Sequence, residues 1–367
     1  MKYKVLFIMH MPPPVHGAAM MGKYIHDSKL INETFECRYI NPSASSNIKE
    51  VGKLNIGKFF FLFKNSFKII RTVIKEKPDL CYYTPTSTGW GIYRDMVVIT
   101  LLKMFGKNVV LHFHNKGVKD YSHRHPLSTI AYKLMFSNVK VIQLSELLYQ
   151  DIQQFISKDK VFFCANGIPE SFGSELSLFR NNSIPKLLFL SNLLVEKGVL
   201  VLLDACEILR KKGYQFFCDF VGGETVDINN EYFQKECIQR NIKECIFYHG
   251  KKCGSEKYLF FQQTDIFILP TFNECFPLVI LEAMEYKLPV ISTNEGGIPD
   301  VIKDGENGLI SIKKDPQSLA DCIEKLLINK DLRYRMGEAG YQKFKKYYTL
   351  PVFEKKFTSI LMQCINN

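Results

Sequence analysis

Two glutamates at a fixed spacing are the most informative feature of the sequence. Glu274 and Glu282 are separated by seven residues and follow an apolar run at 265–269 that is typical of a buried strand. A loop and then a helix beginning near Pro277 would place Glu274 at the mouth of the loop and Glu282 two turns along. Carboxylates accept hydrogen bonds from paired hydroxyls, so ribose or hexose is a natural ligand, and the free N–H groups of a helix N-terminus suit a phosphate. On its own, the pair also fits a helix cap and a solvated glutamate.

Loops suited to ligand binding follow other expected strands. Lys197, in the Glu-Lys-Gly step that opens a helix, could neutralise a diphosphate with help from the helix N-terminus. Gly-Gly-Ile-Pro-Asp at 296–300 is a loop at another strand end, and Asp-Gly-Glu-Asn-Gly at 304–308 is typical of a turn. After the first strand, small residues at 17–19 would let the backbone approach a phosphate or sugar closely. Doubly wound sheets bind ligands at such strand ends.

Short apolar runs alternate with helical patterns along the chain, which predicts an α/β fold with parallel sheets covered on both faces. The expected strands cover residues 5–9, 79–84, 109–113, 139–144 and 161–165, then 186–191, 216–222, 246–249, 265–269, 289–293 and 308–310. Expected helices include 17–29, 198–213, 316–327 and 350–365. The two series predict two Rossmann-like domains, at 1–172 and 173–349, followed by a C-terminal helix at 350–367. Packing of that helix back toward the first domain is one arrangement open to it.

The positive charge is concentrated in the first half. The chain has 367 residues with 48 Lys and Arg against 37 Asp and Glu. Residues 1–184 hold 24 basic and 13 acidic side chains, whereas residues 185–367 hold 24 of each. This asymmetry suits an acidic ligand, an anionic membrane or nucleic acid, although scattered solvated lysines would also produce it. Nucleic acid is disfavoured because the sequence has no RRM, KH, helix-turn-helix or zinc-finger pattern.

Cysteine usage and hydropathy indicate the compartment. The 11 cysteines are dispersed, with no CxxC pair and no clustering with histidine. We therefore expect neither a disulfide framework nor a metal site, and a reducing cytosol fits best. The first apolar run is too short for a signal-peptide core, and no run approaches the ~18 apolar residues of a spanning helix. The expected location is cytoplasmic, at most peripheral on the inner face of the cell membrane.

Taken together, the motifs resemble those of a known family, the retaining glycosyltransferases of the GT-B fold in the family four (GT4) group of bacterial surface-glycan enzymes. The family's E-x7-E motif matches Glu274 and Glu282, and its EKG step matches residues 196–198. Its GG-x-P-E/D loop matches 296–300, and its DG-x-NG turn matches 304–308. Four motifs in the family's order make the resemblance specific. It implies a GT-B architecture of two Rossmann-like domains with an inter-domain cleft, in which the N-terminal domain binds the acceptor and the C-terminal domain binds a nucleotide-sugar.

The resemblance also implies roles for residues of the second domain. Glu282 would hold the ribose hydroxyls, Glu274 would bind hydroxyls of the donor sugar, and Lys197 would neutralise the departing diphosphate. Backbone amides of the stretch after Glu274 would approach the sugar and the phosphate: Cys275, Phe276 and Leu278. The family usually has Arg where this chain has Asn192, which lacks the charge and forked donors of a guanidinium. Either Lys197 then acts alone with backbone help, or another basic residue contributes.

In the first domain, the resemblance points to histidines. His114 matches a histidine that family members keep close to the donor sugar, and His16 and Gly17 match the small-residue loop near the donor phosphate and the acceptor. Gly297 is placed with the acceptor or loop residues. His112 lies on the same strand face as His114, but no third ligand is evident, so a structural role for His112 is favoured. Because the family is generally metal-independent, no metal and no cofactor are expected.

The segment 49–77 combines lysines with aromatic and aliphatic residues, a pattern that suits the surface of an anionic membrane. A core-facing helix with a solvated basic back is the competing interpretation. A lipid-diphosphate-linked acceptor would account for a basic first domain.

The expected activity is retaining transfer of a sugar from a nucleotide-diphosphate donor to a glycan or lipid-linked acceptor in cell-surface polysaccharide synthesis. The alternatives are a catalytically inactive nucleotide-sugar-binding protein of this fold, for which Asn192 is the motive, and a nucleotide-sugar epimerase of similar shape. The sequence contains no cofactor-binding lysine region of the kind a phosphorylase would need.

Overall fold

The structure is a computed structural model that describes residues 2–42, 56–171 and 182–366. The chain divides into two compact units. Met1–Gly167 and Leu350–Asn367 form the first, and Ile168–Thr349 forms the second. The C-terminal helix is thus part of the first unit although it follows the second in sequence. The predicted boundary at 172 lies outside the described residues.

A six-stranded parallel sheet forms the centre of the first unit. Its strands are β1 (Lys4–Ile8), β2 (Glu36–Ile40), β3 (Leu80–Tyr83), β4 (Asn108–His112), β5 (Lys140–Gln143) and β6 (Val161–Phe163). Their order across the sheet is β2-β1-β3-β4-β5-β6, and every neighbouring pair is parallel. The helices between them are α1 (Gly17–Asp27), α2 (Lys29–Thr34), α3 (Ile56–Glu76), α4 (Gly91–Met104), α5 (Val118–Arg124) and α6 (Pro126–Phe136).

A second six-stranded parallel sheet forms the centre of the second unit, in the order β12-β11-β10-β7-β8-β9. Its strands are β7 (Lys186–Leu190), β8 (Phe217–Val221), β9 (Ile246–Tyr248), β10 (Ile266–Ile268), β11 (Val290–Thr293) and β12 (Gly308–Ser311). The helices are α7 (Val199–Lys211), α8 (Asn230–Gln239), α9 (Ser255–Gln263), α10 (Leu278–Glu285), α11 (Ile298–Val301), α12 (Pro316–Leu327) and α13 (Lys330–Tyr347). The last helix, α14 (Leu350–Asn366), belongs to the first unit.

Both faces of the first sheet are covered, which explains why its central strands are almost wholly apolar. Leu6 and Ile8 share a face with the alternate residues of the neighbouring strands and pack into one core cluster with α3, α4 and α6. On the opposite face, Tyr82 of β3 packs edge-on against Phe357 of α14 at 5.3 Å between ring centroids. One layer therefore contains α3, α4 and α6, and α14 covers the other face.

Two features of the first unit correct the sequence prediction. Strand β2 is missing from the predicted set because it is a half-buried edge strand with no apolar run, yet Cys37 pairs with Val5 of β1. The predicted helix at 17–29 is two helices, because Ser28 adopts an extended backbone (ψ 119°) and its hydroxyl accepts the Ile31 N–H at 3.3 Å. Serine favours such N-cap positions because its side chain satisfies an otherwise unpaired helical N–H.

Strand order places the ligand-binding edge of each sheet. In the second unit the chain proceeds from β7 to one side and from β10 to the other, so the switch point lies between these two adjacent strands. In the first unit the corresponding point lies between β1 and β3. Ligands of open α/β sheets bind beyond the carboxyl ends of strands at such points. Within the described residues, no helix combines the length and apolar character needed to span a bilayer.

Candidate active site

The loops that follow β7 and β10 meet at the switch point of the second sheet. Gly198, which ends the first loop, has φ +82°, and a Cβ there would lie 2.2 Å from the carbonyl oxygen of Pro270 in the second loop. The loops also share backbone bonds, since the Phe272 N–H donates to the Glu196 carbonyl at 2.9 Å. The Asn273 side-chain amide donates to the Glu196 carboxylate at 2.8 Å. Two sequence-distant loops are thereby held in one fixed arrangement.

Lys197 and Glu274 form an ion pair across these loops, with 2.6 Å between Nζ and Oε2. Their side chains are 16% and 21% exposed, so the pair is largely enclosed yet open to a ligand. Lys197 Nζ also donates to the Asn273 carbonyl at 3.1 Å, and Glu274 Oε1 accepts the Cys275 N–H at 3.0 Å. The sequence predicts both residues at the site but not their direct contact. The structure places a cation and a hydroxyl-binding carboxylate side by side.

The loop after β11 also contacts the segment that carries Glu274. Gly296 has φ +55°, and a Cβ at this position would lie 2.4 Å from the Glu274 carbonyl oxygen. The N–H of Gly297 donates to the Cys275 carbonyl at 2.7 Å. Glycine tolerates both the left-handed conformation and the close approach. Gly297, predicted as an acceptor or loop residue, bonds the backbone of the segment that carries Glu274.

The side chains that follow Glu274 face the protein interior. Cys275 and Phe276 are buried, and the Phe276 ring lies 6.1 Å from that of Tyr348. Leu278 is the first residue of α10, whose N-cap, Pro277, makes no side-chain capping bond. The first N–H groups of a helix have no partner within it, so they can bind an anion. An anion at this helix end would therefore meet backbone amides of α10, while the Cys275 and Phe276 side chains hold the preceding loop in place.

Glu282 forms a second ion pair, with Lys257 of α9, at 2.6 Å between Oε1 and Nζ. The two side chains are 17% and 19% exposed. Lys257 also lies over the ring of Tyr258, 5.2 Å from its centroid. No spacing in the sequence relates Lys257 to Glu282, because the two helices are separated by β10 and a long loop. Lys257 is thus a site residue that sequence reasoning missed.

Asn192 ties the loop after β7 to the loop after β8. Its Oδ1 accepts the Gly223 N–H at 3.0 Å. A Cβ on Gly223 would lie 3.1 Å from that oxygen and 4.0 Å from Cδ of Lys251. The stem of Lys251 therefore passes beside Gly223, whose N–H bonds the Asn192 side chain.

The turn at 304–308 has a structural role in the second unit. The buried Asn307 side chain accepts the Lys303 N–H at 2.8 Å and donates to the Val301 carbonyl at 3.0 Å. Asp304 Oδ1 accepts the Ile310 N–H at 2.9 Å. These bonds fix the entry into β12.

Four histidines lie at the carboxyl ends of β1 and β4 in the first unit. His16 is the N-cap of α1, its Nδ1 accepting the Ala19 N–H at 3.3 Å, and Gly17 is the first residue of that helix. The rings of His10 and His16 are 6.3 Å apart, and those of His112 and His114 are 4.2 Å apart. The described residues contain no group of three or more His, Cys, Asp or Glu arranged to hold a metal ion.

Burial keeps three of these imidazoles neutral. It lowers the pKa of His114 to about 3, with the neighbouring His10 and His16 adding to the shift. Burial and the Arg94 guanidinium lower the pKa of His10 to about 4. Burial likewise lowers the pKa of His112, which bonds the Tyr82 hydroxyl through Nδ1 at 2.8 Å. His114 Nδ1 is buried with no hydrogen-bond partner among the described residues.

These histidines predict a specific pH dependence of stability. Below the ordinary histidine pKa of 6.5, the unfolded chain binds protons that the folded chain does not. The free energy of unfolding should therefore decrease as the pH is lowered from about 6.5 to about 4. Each such histidine contributes a slope of up to about 1.4 kcal/mol per pH unit. Urea unfolding at a series of pH values measures it. The His10→Gln variant should show a smaller slope of unfolding free energy against pH than the wild type. The control variant His123→Gln, which changes an exposed histidine, should show the wild-type slope. An unchanged slope in His10→Gln would contradict the conclusion that His10 is neutral in the folded protein.

Comparison with known proteins finds similarity to glycosyltransferases. Residues 177–343 match the model of the family described as glycosyl transferases group 1. The matched range lies within the second unit and includes Lys197, Lys257, Glu274 and Glu282.

Individual relatives are distant in sequence. The capsular polysaccharide biosynthesis glycosyltransferase CapM of Staphylococcus aureus is 24% identical over 239 residues, which is 62% of this chain and 62% of that protein. An uncharacterized glycosyltransferase of Methanocaldococcus jannaschii is 27% identical over 208 residues, 57% of this chain and 55% of that protein. The matched part of this chain therefore spans little more than half the length of these curated relatives.

Solved structures match over the whole chain. A glycosyltransferase from Rickettsia africae superposes with a TM-score of 0.78 at 19% identity, covering 100% of this chain and 99% of that one. Anabaena HepE in complex with UDP superposes with a TM-score of 0.74 at 16% identity, covering 99% and 100%. The predicted GT-B class, with two Rossmann-like α/β domains, is confirmed.

Proposed function

We propose that this protein is a retaining glycosyltransferase that moves a sugar from a nucleotide-diphosphate donor to a glycan or lipid-linked acceptor in cell-surface polysaccharide synthesis. The observation that carries the proposal is the Lys197–Glu274 pair at the switch point, beside the open N-terminus of α10. CapM, named for capsular polysaccharide biosynthesis, supports the substrate class, and HepE, solved with UDP, supports a nucleoside diphosphate donor.

Donor binding uses charges and dipoles that are already in place. Glu282 accepts hydrogen bonds from the ribose hydroxyls, and Glu274 accepts them from the sugar. Lys197 and the first N–H groups of α10 bind the diphosphate oxygens. The helix N-terminus favours the negative charge that accumulates there as the glycosidic bond breaks.

In the proposed reaction, an acceptor hydroxyl oxygen forms a bond to the anomeric carbon while the bond from that carbon to the diphosphate oxygen breaks. The electron pair of the broken bond leaves with the nucleoside diphosphate, whose phosphate oxygen takes the acceptor proton. Attack from the face that the diphosphate leaves retains the anomeric configuration. Lys197 stabilises the leaving group, and neutral His114 offers a ring nitrogen to a hydroxyl of the donor sugar. Neither a metal nor a cofactor is assigned a role.

A panel of nucleotide sugars tests the proposal. We expect at least one donor to raise the melting temperature and to release nucleoside diphosphate when an acceptor is supplied. Analysis of the anomeric configuration of the product tests retention. A donor that binds without any release of nucleoside diphosphate would instead support the inactive binding protein, and interconversion of the sugar would support the epimerase.

Lys251 is proposed as the cation that replaces the missing arginine. Its stem passes beside Gly223, whose N–H bonds the Asn192 side chain, and a donor phosphate there would gain from a further positive charge. Lys251→Ala should lower kcat/KM for the donor by about tenfold at low salt, and less at high salt. The control is Lys252→Ala, whose side chain lies 3.9 Å from Glu256. Equal effects of the two substitutions would show that Lys251 has no special role.

The acceptor is proposed to be lipid-linked and the protein to be peripheral at the inner face of the membrane. The basic first half and the lysine-rich segment 49–77 support this location. Lys49 and Lys53 lie outside the described residues, as do the side chains of Lys58 and Lys64. Lys68 and Lys75 of α3 are exposed.

A further inference from the structure

Two neighbouring helices of the first unit carry apolar side chains on their solvent side as well as on their core side. On α4, Val97 and Met104 are seven residues apart, which is about two turns, and Phe105 is the C-cap. On α6, the exposed apolar residues are spaced by three and then four positions, which places them on one helix face. We call them the α4–α6 surface: Val97, Met104, Phe105, Leu127, Ile130 and Leu134. Met104 is 77% exposed and Leu127 is 74% exposed. Scattered exposed apolar residues are ordinary, but a contiguous group marks an interaction surface.

The two helices are joined where the surface is densest. Lys103 Nζ, near the end of α4, donates to the Leu134 carbonyl and, at 3.1 Å, to the Ser137 carbonyl at the end of α6. The stripes on α4 and α6 are therefore neighbours. On the other side of α4, α3 extends the surface with Phe67 and Ile74, which are 68% and 57% exposed.

The exposed charges of the three helices that form this surface have one sign. Among the described residues of α3, α4 and α6, every exposed charged side chain is a cation: Lys68, Arg71, Lys75 and Lys133. The two acidic residues in this set face away from solvent or are paired. Asp95 is fully buried and contacts Arg94 at 2.7 Å, and half-buried Glu76 lies 3.5 Å from Arg38.

We infer that the α4–α6 surface docks on an anionic lipid bilayer. Apolar side chains inserted at the headgroup boundary, with cations around them, match both the apolar and the charged component of such a surface. Self-association fits less well, because a symmetric dimer would place the same cations opposite one another. The inference rests on the proposed function in one respect: docking on the bilayer would bring the enzyme to a lipid-linked acceptor.

Trp90, the single tryptophan of the chain, provides a depth probe. It is the N-cap of α4 and is 66% exposed. Trp90, Val97 and Met104 follow one another at intervals of seven residues. Seven residues are close to two helical turns, so Trp90 extends the same stripe. Acyl chains carrying bromine should quench its fluorescence in anionic vesicles.

Vesicle co-sedimentation tests the inference without donor or acceptor, so its outcome is independent of whether sugar transfer is observed. Wild-type protein should pellet with phosphatidylglycerol–phosphatidylcholine vesicles, less at high salt, and only weakly with phosphatidylcholine alone. The double variant Met104→Glu, Ile130→Glu should partition about tenfold or more weakly. The matched control Val226→Glu, Ile328→Glu changes two exposed apolar residues of the second unit and should bind as wild type.

Three results would overturn the inference. One is wild-type pelleting by the Met104→Glu, Ile130→Glu variant when its melting temperature shows that it is folded. Another is pelleting of wild-type protein without bromolipid quenching of Trp90. The third is a wild-type dimer that the double variant converts to monomer, with no vesicle binding by either form, since that result assigns the surface to a second copy of the chain.

Discussion

Lys197→Ala should lower kcat by about 10²- to 10³-fold, the range observed when one preorganised stabilising group is removed from a transition state. The reason is geometric, because Lys197 Nζ is held by the Glu274 carboxylate and the Asn273 carbonyl at the edge where the diphosphate would leave. Negative charge develops there only as the bond to the anomeric carbon breaks. The loss should therefore fall on kcat more than on KM.

Steady-state kinetics with the donor identified in the panel measures this effect. Lys303→Ala is the matched control, since Lys303 pairs with Glu306 on the exposed surface at 2.7 Å and should leave kcat unchanged. Lys197→Arg retains a positive charge and should recover part of the rate. Full transferase activity in Lys197→Ala would show that the assigned role is wrong.

Gly296→Ala should reduce both stability and activity, although it adds a single methyl group. Alanine at φ +55° incurs the left-handed cost of about 1–2 kcal/mol. Its Cβ would also lie 2.4 Å from the Glu274 carbonyl oxygen, and relieving that overlap costs about 1–3 kcal/mol more. Displacing the Glu274 backbone would misplace the carboxylate that we propose binds the donor sugar, so activity should fall by about 10²-fold.

Gly305→Ala separates the conformational cost from the overlap. Gly305 has φ +77°, and a Cβ there would meet no atom within 4 Å. Its free energy of unfolding should fall by the left-handed cost alone, with activity retained. Chemical denaturation and kinetics of both variants measure the difference. Equal behaviour of the two would mean that contact with the Glu274 segment does not position the site.

The periodicity of the sequence predicts the architecture because buried parallel strands are encoded by local apolar runs. Strand β2 is the exception, since the edge position leaves Cys37 and Tyr39 half-buried and removes the apolar run that would mark it. The Lys197–Glu274 loops are predictable as loops because the Glu-Lys-Gly step and the E-x7-E spacing are local features. Their ion pair depends on the adjacency of β7 and β10, which local pattern does not encode.

Other site features could not be predicted for the same reason. Lys257 and Lys251 are ordinary surface lysines in sequence, and only the fold brings them to Glu282 and Asn192. Helix α4 carries apolar residues on several of its faces, so its sequence alone does not distinguish the buried ones from the exposed ones. Val97 and Met104 are exposed because no described element covers that side of the helix.

The two ion pairs have a consequence for which molecules can compete with the donor. Lys197 and Lys257 each have a carboxylate partner at 2.6 Å, so a ligand that separates one of these pairs must compensate both of its members. A diphosphate that drew Lys197 away would leave the Glu274 carboxylate with only its bond from the Cys275 N–H, whereas a free sugar that drew Glu274 away would leave Lys197 with only the Asn273 carbonyl. A nucleotide sugar carries both anionic oxygens and hydroxyls and can exchange every contact at once. For the proposed nucleotide-sugar donor, we therefore expect partner exchange as well as shape to favour the intact molecule, so fragments such as inorganic diphosphate should compete poorly.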